Sequence, residues 1–288
     1  MVTVVDLAAR TERWIPGFVK FGCARLIGML VYWLNPRIRQ NTTANMAVVL
    51  GSSASPLQAR RLAMESVSAY AEHMVDFLRT YRMSTDELLR RTISMEGFQH
   101  YLEFQNRKRG GILITAHFGN WEGAGGLISI DRPTYAVAET FGSRLVTESL
   151  ANIRARKNIH SIQIGNAGRE LLDTLNRGDI AALLVDRPTP GQGAWVNFFG
   201  RLAQVPDSAA RLAVRTNSPV LVGGLIRGRD GTYTAHVMPV INVNPDRPTK
   251  EAVAETMQRI MYNIETLIRK DPQQWYMFRK MWPDADSS

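Results

Sequence analysis

Ile112-Leu113-Ile114-Thr115-Ala116-His117-Phe118-Gly119-Asn120-Trp121-Glu122-Gly123 decides how this chain is read. Its first five residues are a short apolar run with the character of a buried parallel strand. Gly119-Asn120 breaks the run, and a helical pattern starts at Trp121. A histidine therefore leaves the carboxyl end of a strand, where open α/β sheets bind their ligands. Upstream, the breaker Gly110-Gly111 closes a helical half. There Pro56 to Arg82 carries apolar residues at helical spacing, and Ser84-Thr85-Asp86-Glu87 reads as a capping box. Downstream, apolar runs at 135–138, 159–164, 181–185 and 220–226 alternate with helical windows at 121–130, 145–157, 168–177 and 208–216. A last strand at 233–240, a long helix at 251–270 and a short helix from Pro272 complete the pattern. This alternation predicts an α/β fold with a mostly parallel central sheet flanked by helices.

The composition agrees with a globular chain: 288 residues, 45% hydrophobic and 21% charged, enough for a large core. A single cysteine, Cys23, excludes a disulfide framework and any cysteine-based metal site. The net charge is +9, and most of the 35 basic residues are arginine, whose planar fork suits phosphate and anionic lipid. Arginine-rich genome composition is the competing explanation. Nucleic acid is not an expected partner, because no helix-turn-helix, zinc finger or aromatic–basic interleaved motif is visible.

Residues 1–60 hold seven basic side chains (Arg10, Arg13, Lys20, Arg25, Arg37, Arg39, Arg60) against Asp6 and Glu12. Between Trp14 and Leu34 the chain is mostly apolar, interrupted by Lys20 and Arg25. Its uncharged core, 26–34, is far shorter than the ~20 residues of a membrane span, and no small-residue cleavage site follows. Residues 1–40 are expected to form a basic amphipathic segment lying on an anionic membrane surface without crossing it, with 41–288 as one α/β domain. An ordinary buried first helix is the alternative.

His117 and Glu122 lie five residues apart across a strand–turn–helix junction, which lets the carboxylate fold back toward the imidazole as base and orienter. N–H groups at the new helix start can face an oxyanion or phosphate. A purely structural His–Glu pair is the competing reading. No Gly-x-Ser-x-Gly elbow accompanies the pair, and Cys23 is remote in sequence. There is no His-Glu-x-x-His, and His73, His100, His160 and His236 show no ligand spacing with His117, so no metal is expected. Gly123-Ala124-Gly125-Gly126 lacks the last glycine of the dinucleotide pattern, so no such cofactor is expected. A base without a protein nucleophile suits an activated substrate, such as a thioester attacked directly by a hydroxyl.

His117-Phe118-Gly119-Asn120-Trp121-Glu122 resembles the His-x4-(Asp/Glu) motif of the bacterial lipid A biosynthesis acyltransferase family, which includes the phosphatidylinositol mannoside acyltransferases. In the family's order, Arg154-Ala155-Arg156 resembles its Arg-x-Arg, and Leu184-Val185-Asp186-Arg187 its strand ending in Asp. Val196-Asn197-Phe198-Phe199-Gly200 and Ala209-Ala210-Arg211-Leu212-Ala213 resemble the next segments, and Pro272 to Trp282 its Gln-aromatic…Trp ending. Where lipid A enzymes often carry Tyr-Arg-Pro this chain has Ala138-Glu139-Thr140, and Asp186-Arg187 is closer to the mannoside-modifying branch.

The resemblance implies a glycerolipid acyltransferase-like fold and transfer of a fatty acyl chain from acyl-CoA or acyl carrier protein to a membrane glycolipid or phospholipid-type acceptor. The enzyme would be peripheral or monotopic at the cytoplasmic face of the cell membrane. It also implies His117 as base and Glu122 as orienter, with substrate contacts at Asn120, Arg154, Arg156, Asp186 and Arg187. Buried salt bridges are the competing reading for Arg154 and Asp186. A non-catalytic lipid- or glycolipid-binding protein of the same fold is the alternative function.

Overall fold

The computed structural model describes residues 11, 14–107, 109–138, 144–163, 167–244 and 246–282. Lys108, Glu139, Thr140, Ile164 and the early charges Asp6, Arg10, Glu12 and Arg13 lie outside the described residues. Three helices come first: α1 (Gly17–Leu34), α2 (Pro36–Leu50) and α3 (Pro56–Arg82). Asn35 separates the first two, its side chain accepting from Ile38 N, with Pro36 at a position where a missing N–H costs nothing. Ser55 and Gln58 form a reciprocal capping box at the start of α3.

α1 packs tightly on α3 at Gly28, where a Cβ would stand 2.5 Å from the Ser68 backbone. Ala24, Gly28 and Tyr32 are its buried residues, whereas Phe18, Leu26, Leu30, Trp33 and Leu34 face outward. At 18 residues and a mean hydropathy of 1.4, α1 reaches the length and composition of a membrane crossing. The helix extends well beyond the uncharged stretch 26–34 and carries Lys20 and Arg25 within it. At 1.5 Å per residue its 18 residues extend about 27 Å, close to the ~30 Å of hydrocarbon. Arg25 also turns back to Glu72 of α3, at 3.5 Å.

The sheet half runs α4 (Thr85–Arg91), β1 (Thr92–Glu96), α5 (Phe98–Asn106), β2 (Gly111–Thr115), α6 (Trp121–Ile128), β3 (Thr134–Ala138), α7 (Arg144–Arg156), β4 (Ile159–Gln163), α8 (Ala167–Asn176) and β5 (Ile180–Leu184). After these come β6 (Ala194–Phe198), β7 (Arg201–Val205), α9 (Ser208–Thr216), β8 (Val220–Arg227), β9 (Tyr233–Val237), α10 (Thr249–Lys270) and a 3-10 turn at Pro272–Gln274. Ser84 caps α4 by accepting from Glu87 N, while the Glu87 carboxylate reaches Arg91 at 3.0 Å. The strand order is β1-β9-β8-β2-β5-β3-β4, with β8 and β9 the antiparallel neighbours and the other pairs parallel. β6 and β7 form a separate antiparallel hairpin whose turn, Phe199-Gly200, has positive φ at both residues. Neither the hairpin nor β1 and α5 is expected from the sequence pattern.

The central strands show different residues to their two sides. Ile112, Ile114, Val220 and Val222 join the main core with Ala209 and Ala213 of α9 and Ile260 and Ile264 of α10. On the opposite side Leu113, Thr115, Ala136, Ala182, Leu221 and Gly223 line a cavity of about 1300 Å³.

Candidate active site

β2 and β5 are parallel neighbours in the register Thr115↔Leu184. Two residues beyond each strand end, His117 and Asp186 fall side by side. His117 Nδ1 is 2.8 Å from Asp186 Oδ1, and the His117 backbone N–H donates to Oδ2 at 3.0 Å. Trp275 Nε1 donates to the same Oδ2 at 3.0 Å. Asp186 is fully buried. Burial pushes its carboxyl up, but His117 and these hydrogen bonds outweigh that and hold it below the usual carboxylate range. An ionised carboxylate only accepts, so Nδ1 carries the proton and Nε2 is the acceptor nitrogen. His117 itself lines the cavity.

The turn after His117 is fixed by close approach. Gly119 has φ +56°, and a Cβ there would stand 2.2 Å from Leu225 O. Asn120 N donates to that same carbonyl at 2.7 Å, Gly119 N to Gln274 O at 2.9 Å, and Tyr276 N to His117 O at 2.8 Å. β8 and the carboxyl-terminal segment thus clamp the turn from two sides.

Three expectations need correction here, the first being Asp186: expected as a substrate contact, it is fully buried and holds His117 instead. Glu122 does not fold back onto His117. It lies in the first turn of α6 and meets the last turn of α7, where Arg154 Nε donates to Oε2 at 3.1 Å and Nη2 donates to Oε1. Burial works against the Arg154 charge, but Glu122 outweighs it and raises the guanidinium. The reason is geometric: the turn aims α6 toward α7, whereas the adjacent strand end delivers Asp186 directly.

Asn120, expected at the substrate, is fully buried instead. Its oxygen caps α6 by accepting from Gly123 N at 2.8 Å, and its Nδ2 donates to Asp76 Oδ2 at 2.8 Å and Thr80 Oγ1 at 2.9 Å. Asp76, also buried, accepts from Tyr233 OH at 2.9 Å. Its carboxyl is pushed up by burial, against the opposing pull of Arg227 and these partners. Glu122, Arg154 and Arg187 line the cavity with His117, whereas Arg156 is an exposed residue on α7. Tyr276 and Phe278 line it too, while Trp275 and Trp282 are core residues that pack on Phe198.

Sequence reasoning missed His73. It lies on α3 with its ring 4.2 Å from Trp121 and 5.3 Å from Tyr276, and Trp121 in turn is 5.6 Å from His117. Burial above all, with the nearby Arg227 and His117, lowers its pKa to about 3. Its place between Tyr70 and Met74 in the apolar face of α3 was the available signal, and that position reads as core.

An ionised carboxylate holding a histidine at the edge of a large apolar cavity is the arrangement expected of an enzyme that acts on acyl chains. The chain belongs to the bacterial lipid A biosynthesis acyltransferase family, whose model matches residues 9–283, and it is accordingly an acyltransferase. A phosphatidylinositol mannoside acyltransferase of Mycobacterium tuberculosis (strain CDC 1551 / Oshkosh) is 25% identical over 248 residues, covering 83% of this chain and 75% of its own. One from Mycolicibacterium smegmatis is also 25% identical over 248 residues, covering 83% and 77%. Among solved structures, the 1-acyl-sn-glycerophosphate (LPA) acyltransferase PlsC from Thermotoga maritima aligns with a TM-score of 0.41 at 12% identity, over 88% of this chain and 98% of that one.

Proposed function

We propose that this chain transfers a fatty acyl group from an acyl thioester, acyl-CoA or acyl carrier protein, directly to a hydroxyl of a membrane glycolipid, in the manner of a phosphatidylinositol mannoside acyltransferase. The observation that carries this reading is the His117–Asp186 contact of 2.8 Å beside a largely apolar cavity. The cavity exceeds the roughly 300–1,000 Å³ of ordinary small-molecule sites and suits a long acyl chain. In the reaction, His117 Nε2 takes the proton of the acceptor hydroxyl as its oxygen attacks the thioester carbonyl. Asp186 stabilises the resulting imidazolium and fixes its tautomer. Collapse of the tetrahedral intermediate breaks the C–S bond, and His117 returns the proton to the departing thiolate. The products are an ester and a free thiol.

Arg187 and the Glu122-braced Arg154 stand at the cavity and supply positive charge for the phosphates of donor or acceptor. No cofactor takes part in this scheme. The acceptor enters from a membrane surface held by α1, whose Phe18 is 83% exposed and whose Leu30 and Trp33 also face outward. The cytoplasmic face, where acyl thioesters are made, is the side this attachment serves. The test is thiol release from acyl-CoA by the full chain, with vesicles that contain or lack phosphatidylinositol mannoside. Acceptor-dependent release with formation of the acylated lipid is expected; binding of both lipids without release would leave only a binding protein.

A further inference from the structure

Three consecutive residues of the carboxyl-terminal segment each hold one part of the His117–Asp186 pair and its turn. Gln274 O accepts from Gly119 N at 2.9 Å, Trp275 Nε1 donates to Asp186 Oδ2 at 3.0 Å, and Tyr276 N donates to His117 O at 2.8 Å. The segment is fastened to β8 by the buried side chain of Gln274. Its Oε1 accepts from Arg227 N at 3.1 Å, and its Nε2 donates to Arg227 O at 2.9 Å. One side-chain amide thus grips both backbone groups of one residue, so a shift of that residue moves the segment with it. The Arg227 side chain is fixed from the other direction. Its Nη2 donates to Glu72 Oε2 of α3 at 2.5 Å, and its guanidinium lies 4.6 Å from the centre of the Phe21 ring in α1. Glu72 also faces Arg25 of α1 at 3.5 Å. The Arg227 and Glu72 side chains are only 13% and 15% exposed, so breaking the pair leaves an unpaired charge and not a solvated one.

We propose that Arg227 is a positioning residue for acyl transfer: pinned by Glu72 and Phe21, it sets the 274–276 segment, and through that segment the seat of α1 bears on the His117–Asp186 geometry. This rests on the acyl-transfer reading above and adds to it a control from outside the site. Arg227 is not among the described residues that line the cavity, so donor binding is spared. The effect falls on turnover, because a displacement of about 1 Å at the reacting groups can cost on the order of 10²-fold in rate. α1 then has two tasks on two faces. Its outward side chains meet lipid, while Phe21 and Arg25 complete the brace behind the site. Loss of that inner contact lowers turnover even where no membrane is present.

The experiment measures kcat and donor KM in thiol release from acyl-CoA, with phosphatidylinositol mannoside dispersed in detergent so that membrane attachment plays no part. Arg227→Met alone strands the Glu72 charge, so the main variant is the pair Arg227→Met/Glu72→Gln, with thermal melts confirming the fold. Its kcat should fall by about ten- to a hundredfold, with donor KM near the native value. Arg227→Lys, which can still pair with Glu72, should recover most of that loss. Phe21→Ala should lower kcat by about two- to fivefold, the scale of one cation–π contact. In proton NMR, the downfield Nδ1 proton of His117, identified by its absence in His117→Ala, should broaden by solvent exchange in the paired variant. A role confined to stability would leave that signal unchanged. Native kcat in the folded pair, or a loss carried by KM alone, overturns the positioning role, and native kcat in Phe21→Ala overturns the part given to α1. Phe21→Ala leaves every polar partner in place and decides the matter if the paired variant does not fold. A folded native chain that releases no thiol would remove the acyl-transfer reading itself, a result distinct from native kcat in the variants.

Discussion

The two sides of the central sheet are made by the same strands and differ in what they leave unfilled. Ile112, Ile114, Val220 and Val222 meet α9 and α10 in a continuous core. One residue along, Leu113, Ala182 and Gly223 leave a cavity, with Ala136 and Ala235 adding further small side chains to its wall. The packed side also carries the aromatic cluster of Phe118, Phe198, Trp275 and Trp282, from which Trp275 reaches Asp186. In the proposed mechanism, one side holds the Asp186 carboxylate in place and the other receives the substrate. His117 stands where they meet.

The strongest test of that division removes the carboxylate while keeping its shape. Asp186→Asn should lower kcat by about 10³–10⁴-fold, since an amide can favour the wrong tautomer and cannot stabilise the imidazolium. KM for the donor should change little, because the cavity is untouched. A variant within tenfold of native kcat would show that the packed side does not serve the chemistry.

Next come paired substitutions across the sheet. Ile114→Ala should cost about 2–5 kcal/mol of stability in chemical denaturation, leaving the preferred acyl length unaltered. Ala182→Leu should cost less, since the cavity has room for the added methyl groups, and should shift preference toward shorter chains. If Ala182→Leu destabilises as much as Ile114→Ala, the two sides are equally packed and the comparison fails.

The smallest effect concerns pH. His73 is buried with its pKa lowered to about 3, so between the ordinary histidine value and pH 3 the unfolded chain binds a proton that the folded chain does not. Its contribution is therefore complete above about pH 6.5 and is lost as pH falls toward 3. His73→Phe should remove that part of the acid slope, making the fall in stability between pH 7 and 4.5 about 2–3 kcal/mol smaller than in the native chain. Identical slopes would show that His73 is not held neutral.

Much of this was legible in the sequence, for identifiable reasons. The strand runs are nearly uniformly apolar, so β2, β5 and β8 were visible as buried parallel strands. For the same reason their two sides were not: when both positions of a period-2 pattern are apolar, nothing in the pattern separates packed from hollow, as with Ala181 in the core and Ala182 at the cavity. β1, with the exposed Ile93 and Ser94, and the hairpin, with the exposed Trp195 and Leu202, lack a buried run and escaped notice. In the site, His117 was legible from its place at a strand end. Its partner was not, because the spacing of Glu122 is local whereas the Thr115↔Leu184 register that brings Asp186 alongside belongs to the folded sheet. Asn120 looked like a substrate contact because its partners, Asp76 and Thr80, are distant in sequence.

The most direct measurement is the initial rate of thiol release from acyl-CoA by His117→Ala, at saturating glycolipid acceptor, with thermal melts confirming the fold. Loss of the general base should lower the rate by at least about 10²-fold, with the melting temperature close to native. A well-folded His117→Ala chain that transfers acyl groups at near the native rate would contradict the account, because no base would then be needed at the meeting point of the two sides.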